Sequence, residues 1–219
     1  MRIERNQAAG PSWRRWTLVT IAGWFVGFLA GFILAGAFEP ILGAGPVQGV
    51  AGYSVLGVCL GSGVGLTQWL VLRRRTVGIG SWVLASAIGM GIAGGAGYGT
   101  AVLLFGYSEG LEGLGSAAAV LGWMLAAAFG GMVTGLLQWR ILSRHLRGAG
   151  WWAPASTVGW ALSFAALGAI SVLGFSLTPV TSAFTAAWFL GGLIAGGAVL
   201  GAVTGGALLW LLNQPAAQV

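Results

Sequence analysis

From Trp16 to Phe38 the chain carries no charged side chain. As a helix rising about 1.5 Å per residue, that run is long enough to cross a hydrocarbon core roughly 30 Å thick. Five comparable apolar runs follow, from about Val47 to Leu72, Trp82 to Phe105, Gly115 to Leu142, Trp151 to Phe175 and Ala183 to Leu212. Short polar or Pro/Gly-containing turns separate them: Glu39-Pro40 with Gly43 to Pro46, Ser108 to Gly113, Arg144 to Gly148, and Leu177-Thr178-Pro179. The expected fold is an all-α integral membrane protein of six transmembrane helices, a single transmembrane domain over residues 1–219. The end of the first run, Ala35-Gly36-Ala37, mimics a signal-peptidase site. Cleavage is not expected, because the run exceeds the roughly 7–15 residues of a signal peptide's apolar region.

Composition rules out the usual alternative. Hydrophobic residues make up 57% of the chain and charged residues only 6%, whereas a soluble domain carries about a quarter charged residues. No water-facing surface can be assembled from that inventory. The 41 glycines are interleaved with Leu, Val, Ala and Ile, which in an apolar context reads as close helix–helix packing. A net charge of +6 raises the question of a nucleic-acid partner. None is expected, because the arginines sit at the ends of apolar runs and not on a soluble face.

Charge also sets the orientation. Arg2, Arg5, Arg14 and Arg15, then Arg73, Arg74 and Arg75, then Arg140, Arg144 and Arg147 all fall on one side of a six-span chain. Glu39, Glu109 and Glu112 fall on the other. The positive-inside rule then places both termini in the cytoplasm of a bacterial inner membrane. An odd number of spans would scatter the arginines over both faces.

An internal repeat orders the six helices. Gly65, Gln68 and Trp69 align with Gly135, Gln138 and Trp139, and with Gly206, Leu209 and Trp210. The odd-numbered runs open on a shared pattern of Trp, Ser/Thr and Gly: Trp16, Thr20 and Gly23; Trp82, Ser86 and Gly89; Trp152, Ser156 and Gly159. Two helices per copy give three tandem, parallel-oriented helical hairpins, at about 13–72, 79–142 and 149–212. Gly57, Gly61, Gly65 and Trp69 are four residues apart and so share one helical face. Ala127, Gly131, Gly135 and Trp139 repeat that face, as do Ala198, Ala202, Gly206 and Trp210 on this alignment. Glycine zippers of this kind let backbones approach in lipid. The helix-packing set is therefore Gly57, Gly61, Gly65, Gly131, Gly135 and Gly206, and Gly61→Leu or Gly131→Leu is expected to disrupt the bundle. The ridge-ending tryptophans are expected at headgroup depth, with the indole N–H reaching a wet partner.

Few residues could carry chemistry. Gln68, Trp69, Gln138, Trp139 and Trp210 are the candidates for ligand or lipid binding. The expected role of the two glutamines is a hydrogen bond across helices or to headgroup water, and Leu209 rules out a three-glutamine ring. Thr20, Ser86 and Ser156 are expected to bond the carbonyl four residues earlier or a neighbouring helix. The glutamates fall in turns and no charge lies near the middle of a span, which argues against an ion-coupled transporter. His145, the only histidine, lies among arginines in a turn, and Cys59 is the only cysteine. No catalytic set and no metal site is expected.

The segments Gln68-Trp69-Leu70-Val71-Leu72-Arg73-Arg74 and Gly150-Trp151-Trp152-Ala153-Pro154-Ala155-Ser156-Thr157-Val158-Gly159-Trp160 resemble repeats in a group of polytopic bacterial membrane proteins of cyanobacterial and green non-sulfur type. The resemblance runs through the repeats over nearly the whole chain. It implies the membrane fold and, because several of those lineages are phototrophic, an accessory subunit of a pigment or electron-transfer complex. It implies no activity.

The expected function is a non-enzymatic membrane subunit or scaffold, packing against membrane lipids and against other membrane-protein subunits or itself. A hydrophobic ligand of the lipid, carotenoid, quinone or chlorophyll class is the cofactor such a bundle would hold. The alternative is a small-solute channel or carrier along the three-unit axis. Ser62, Thr67, Thr134 and Thr204 make only a sparse polar stripe for it.

Overall fold

A computed structural model describes residues 12–42, 45–73, 79–105, 117–177 and 182–214. The described chain is six long helices and one short turn of 3₁₀ helix. They are α1 (Trp13–Leu42), α2 (Pro46–Leu72), α3 (Ile79–Phe105), α4 (Ala117–Leu142), the 3₁₀ turn Ala149–Trp151, α5 (Trp152–Leu177) and α6 (Ser182–Leu212). Five of the six are long and apolar enough to cross a membrane. The sixth, α3, matches α2 at 27 residues. It carries no charged side chain and is rich in glycine, with Gly89, Gly91, Gly94, Gly95, Gly97 and Gly99.

One boundary differs from the sequence reading. Glu39 and Pro40 do not start a loop, because α1 continues through them to Leu42. Pro40 lies in the last turn, where it forgoes the bond to the Gly36 carbonyl and only Ile41 and Leu42 follow it in the helix. The turn at Ser108 to Gly113, with Glu109 and Glu112, lies outside the described residues, as do Arg2, Arg5, Arg74 and Arg75.

Each helix packs antiparallel on the next in sequence, and α6 packs back on α1. The result is a closed ring of six. Small residues set the spacing at every seam. A methyl group on Gly27 would lie 2.7 Å from the Cα of Leu60, and one on Gly31 2.9 Å from the Cα of Leu56, so α1 meets α2 backbone to backbone. On α2, methyl groups on Gly57 and Gly61 would fall on the carbonyl oxygens of Met90 and Ser86 in α3. On α4, Gly131 and Gly135 approach Ser156 and Ala153 of α5, at 2.9 Å and 2.8 Å by the same measure.

The closing seam corrects the alignment of the third copy. On α6 the residues against α1 are Gly197, Gly201 and Gly205, whose added methyls would meet Ile21, Thr17 and Trp16 at 2.9, 2.7 and 2.8 Å. Gly206 is exposed and has nothing within 4 Å of its would-be Cβ. Burial says the same. Residues 64, 65 and 68, then 134, 135 and 138, then 204, 205 and 208 are buried, while 66, 136 and 206 are exposed. Gly206 is therefore not a packing residue, and Leu208, not Leu209, occupies the glutamine's place. Outward-facing leucines and isoleucines, such as Leu18, Ile33 and Leu84, cover the perimeter, as a lipid-facing surface requires.

Candidate functional site: a plugged axis below an apolar cavity

The ring has two ends. One bears Arg14 and Arg15 at the start of α1, Arg73 after α2, and Arg140, Arg144 and Arg147 at and beyond the end of α4. Near that end the interior is full. Trp16, Trp82 and Trp152 come from α1, α3 and α5, which are separated from one another around the ring by even-numbered helices. Their rings nevertheless meet: Trp16 and Trp152 edge to face at 6.2 Å, Trp82 and Trp152 at 5.5 Å. Such contacts are possible only across the axis. Each indole is almost wholly buried, and together they plug the ring.

The glutamines brace this plug. Gln138 accepts from Trp152 Nε1 at 2.8 Å and donates through Nε2 to Ser86 Oγ at 2.9 Å; Ser86 in turn donates to the Trp82 carbonyl at 3.1 Å. One amide thus ties α3, α4 and α5 together. In the first copy Gln68 donates to Thr20 Oγ1 at a longer 3.4 Å, and Thr20 donates to the Trp16 carbonyl at 2.9 Å. Trp82 Nε1, the counterpart of Trp152 Nε1, is buried without a partner. In the third copy Leu208 can accept nothing, and Trp16 Nε1 bonds Thr204 Oγ1 at 3.0 Å, one helical turn away. Both glutamines hydrogen-bond across helices, and neither lines the cavity described below. The hydroxyls of Thr20 and Ser86 back-bond as expected.

The ridge-ending tryptophans divide. Trp69 is half-buried beneath Arg73, whose guanidinium carbon lies 5.7 Å from the ring centroid. Its Nε1 is buried with no partner, so the expected wet hydrogen bond is not made. Trp139 and Trp210 are exposed.

A second layer lies about two turns deeper. Trp24 of α1 stacks on Trp160 of α5 at 5.3 Å, again across the axis, with Met90, Leu60 and Leu200 in the same cluster. Beyond this layer the interior opens. A partly enclosed cavity of about 320 Å³ extends from Leu60, Met90 and Ala127 at mid-height towards Phe32, Tyr53, Val120 and Phe189, away from the arginines. Residues from all six helices line it. Phe28, Phe164 and Trp123 add aromatic surface, and Tyr53 stacks between Tyr98 and Trp123 with centroids 4.9 Å apart on each side. The lining is apolar except for hydroxyls. Ser171 Oγ spends its proton on the Leu167 carbonyl at 2.9 Å.

The cavity was not foreseen from the sequence. Of its lining, only Gly57 and Ala127 belong to the repeated small-residue faces. The aromatic residues Phe28 and Phe32 in the second half of α1 and the isolated Tyr53 and Trp123 are the signals present, but nothing in their spacing says that they face one space. The lining offers no imidazole, thiolate or carboxylate, and the only histidine, His145, lies in the turn beyond α4 at the other end. It therefore offers a chlorophyll-type ligand no histidine as an axial donor. Among the described residues no cluster of His, Cys, Asp and Glu could hold a metal ion.

No protein-family model matches this chain, and no curated protein and no solved structure resembles it at a significant level.

Proposed function

We propose that the chain is a non-enzymatic, six-span membrane protein that holds a hydrophobic ligand in its ring, with the arginine end in the cytoplasm. The observation that carries this reading is the cavity. Ligand sites are apolar, aromatic-rich concavities of about 300–1,000 Å³ with a few polar groups. A site at the lower end of that range takes an isoprenoid chain or a single quinone-type ring, not a whole tetrapyrrole. Flat rings such as Phe28, Trp123 and Phe164 favour a conjugated or unsaturated guest, because ring faces pack against it in offset or edge-on arrangements.

The same geometry weighs against a channel. A solute path along the axis would have to pass Trp24 with Trp160 and then the three-indole plug. Thr204 and Ser86, two polar groups near it, are already engaged in hydrogen bonds.

The test is retention of ligand. The full chain, expressed in a bacterial membrane and purified in a gentle detergent, is extracted with organic solvent and its lipids and isoprenoids identified by mass spectrometry. An isoprenoid or quinone enriched over bulk lipid in the wild type and lost in Ser171→Phe, which fills the cavity, is the expected outcome. Equal recovery from both would refute the proposal.

A further inference from the structure

A second concavity lies on the outside of the ring, at the arginine end, between α5 and α6. Trp151, Pro154 and Val158 form one wall, Val203 and Trp210 the other, and Gly206 the floor. Its volume is about 570 Å³ and its surface almost wholly apolar. The register of the three hairpins shows why it is there. At the corresponding places α1 and α2 carry Leu18 and Leu66, and α3 and α4 carry Leu84 and Leu136, all exposed side chains on the same outward face. In the third hairpin those two positions are Pro154 and Gly206. The loss of two leucine side chains at one seam leaves a slot where the other two seams are filled.

Its head is basic. The turn after α4 folds back so that a methyl on Gly148 would lie 3.7 Å from the Trp210 ring. Gly148 itself has φ 69, the left-handed conformation that glycine adopts without strain. Backbone hydrogen bonds from His145 and Leu146 to the Leu142 carbonyl, and from Trp151 to the Gly148 carbonyl, hold the turn in place. Arg144 and Arg147 are exposed on it. Two exposed indoles, Trp151 and Trp210, flank the slot at the depth where aromatic side chains meet lipid headgroups. An acyl chain in the slot would therefore carry its headgroup to two arginines.

We infer that the α5–α6 groove is a site for an anionic phospholipid, its acyl chain seated over Gly206 between Trp151 and Trp210 and its phosphate facing Arg144 and Arg147. The inference rests on the membrane-embedded reading but not on the central cavity. Interfacial arginines contribute about a five-fold preference each for an anionic over a zwitterionic headgroup.

The full chain is placed in nanodiscs of equal phosphatidylglycerol and phosphatidylcholine and released into the gas phase for native mass spectrometry. Retained phosphatidylglycerol in the wild type, lost in Gly206→Leu and kept in Gly122→Leu, is expected. Gly122 is an outward glycine with nothing within 4 Å and no groove. Arg147→Gln should keep the lipid but reduce the preference for phosphatidylglycerol about five-fold. This arm decides the matter if Gly206→Leu fails to fold. Retention of the central ligand in Gly206→Leu separates this site from the cavity. Equal binding of the two lipids by the wild type, unchanged retention in Gly206→Leu, or a wild-type dimer that Gly206→Leu dissolves would each overturn the inference.

Discussion

At the arginine end three indoles from alternate helices fill the axis and two glutamines stitch the surrounding helices to them; half a membrane away the same axis is empty over some 320 Å³. Both halves are made by the same six helices with the same antiparallel seams. The difference lies in what points inward. In the lower half the inward residues of the odd helices are Trp16, Trp82 and Trp152, then Trp24, Met90 and Trp160. In the upper half Ala93, Gly94, Gly168 and Ala127 take up part of the wall, and the aromatic residues stand around the space without filling it. A membrane bundle gains no hydrophobic drive from burying one helix against another. Its order must come from packing and from satisfied polar groups, and this ring concentrates both at one end. The other end is left free to hold something else.

That comparison can be broken most severely at the seams. Gly61→Leu places a side chain where the Ser86 carbonyl oxygen lies. Overpacking costs about 1–3 kcal/mol and occasionally more, and here the obstacle is backbone that cannot move aside, so loss of the monodisperse species in detergent is expected on size-exclusion chromatography. Next comes the stitching. Gln138→Leu orphans Trp152 Nε1 and removes the amide from Ser86, and should lower stability by about 2 kcal/mol. Gln68→Leu, which breaks one 3.4 Å contact, should lower it by about half as much. Equal falls in melting temperature would show that the second hairpin is not the better-braced one. A third pair sharpens the register of α6. Gly205→Leu should destabilise by about 1–3 kcal/mol through its clash with Trp16, while its neighbour Gly206→Leu should stay within about 0.5 kcal/mol of wild type. The smallest effect belongs to the hollow half. Ser171→Phe should shift stability by no more than about 0.5 kcal/mol, because its ring enters existing space, and yet abolish ligand retention.

How far the sequence reveals this molecule depends on where one looks. The helices are legible because each is an apolar run bounded by charge, glycine or proline, and five of the observed spans begin and end within a few residues of the runs. Gln138 is legible too: a buried amide in lipid must find a partner, and Ser86 recurs at the right depth on the neighbouring helix. The third ridge is not. On α6 the series Gly197, Gly201, Gly205 and the series Ala198, Ala202, Gly206 are both small residues four apart. Trp210 draws an alignment to the second series by analogy with Trp69 and Trp139. Only contact with Thr17 and Ile21 of α1 distinguishes them, and that contact exists only once the ring closes. The cavity is less legible still, since a void is the difference between six helices' side-chain volumes and leaves no motif. The plug lies between these cases: Trp16, Trp82 and Trp152 are evident as a repeated start to the odd helices, but their meeting on the axis follows from closure.

The most direct test of a filled half beneath a hollow one is a high-resolution density map of the chain in lipid nanodiscs, with no ligand added. The account predicts indoles packed on the axis at Trp16, Trp82 and Trp152, and elongated non-protein density among Phe28, Tyr53, Trp123 and Phe164. A continuous water-filled path past the three tryptophans, or a cavity closed by inward collapse of Phe28 and Phe164, would contradict it.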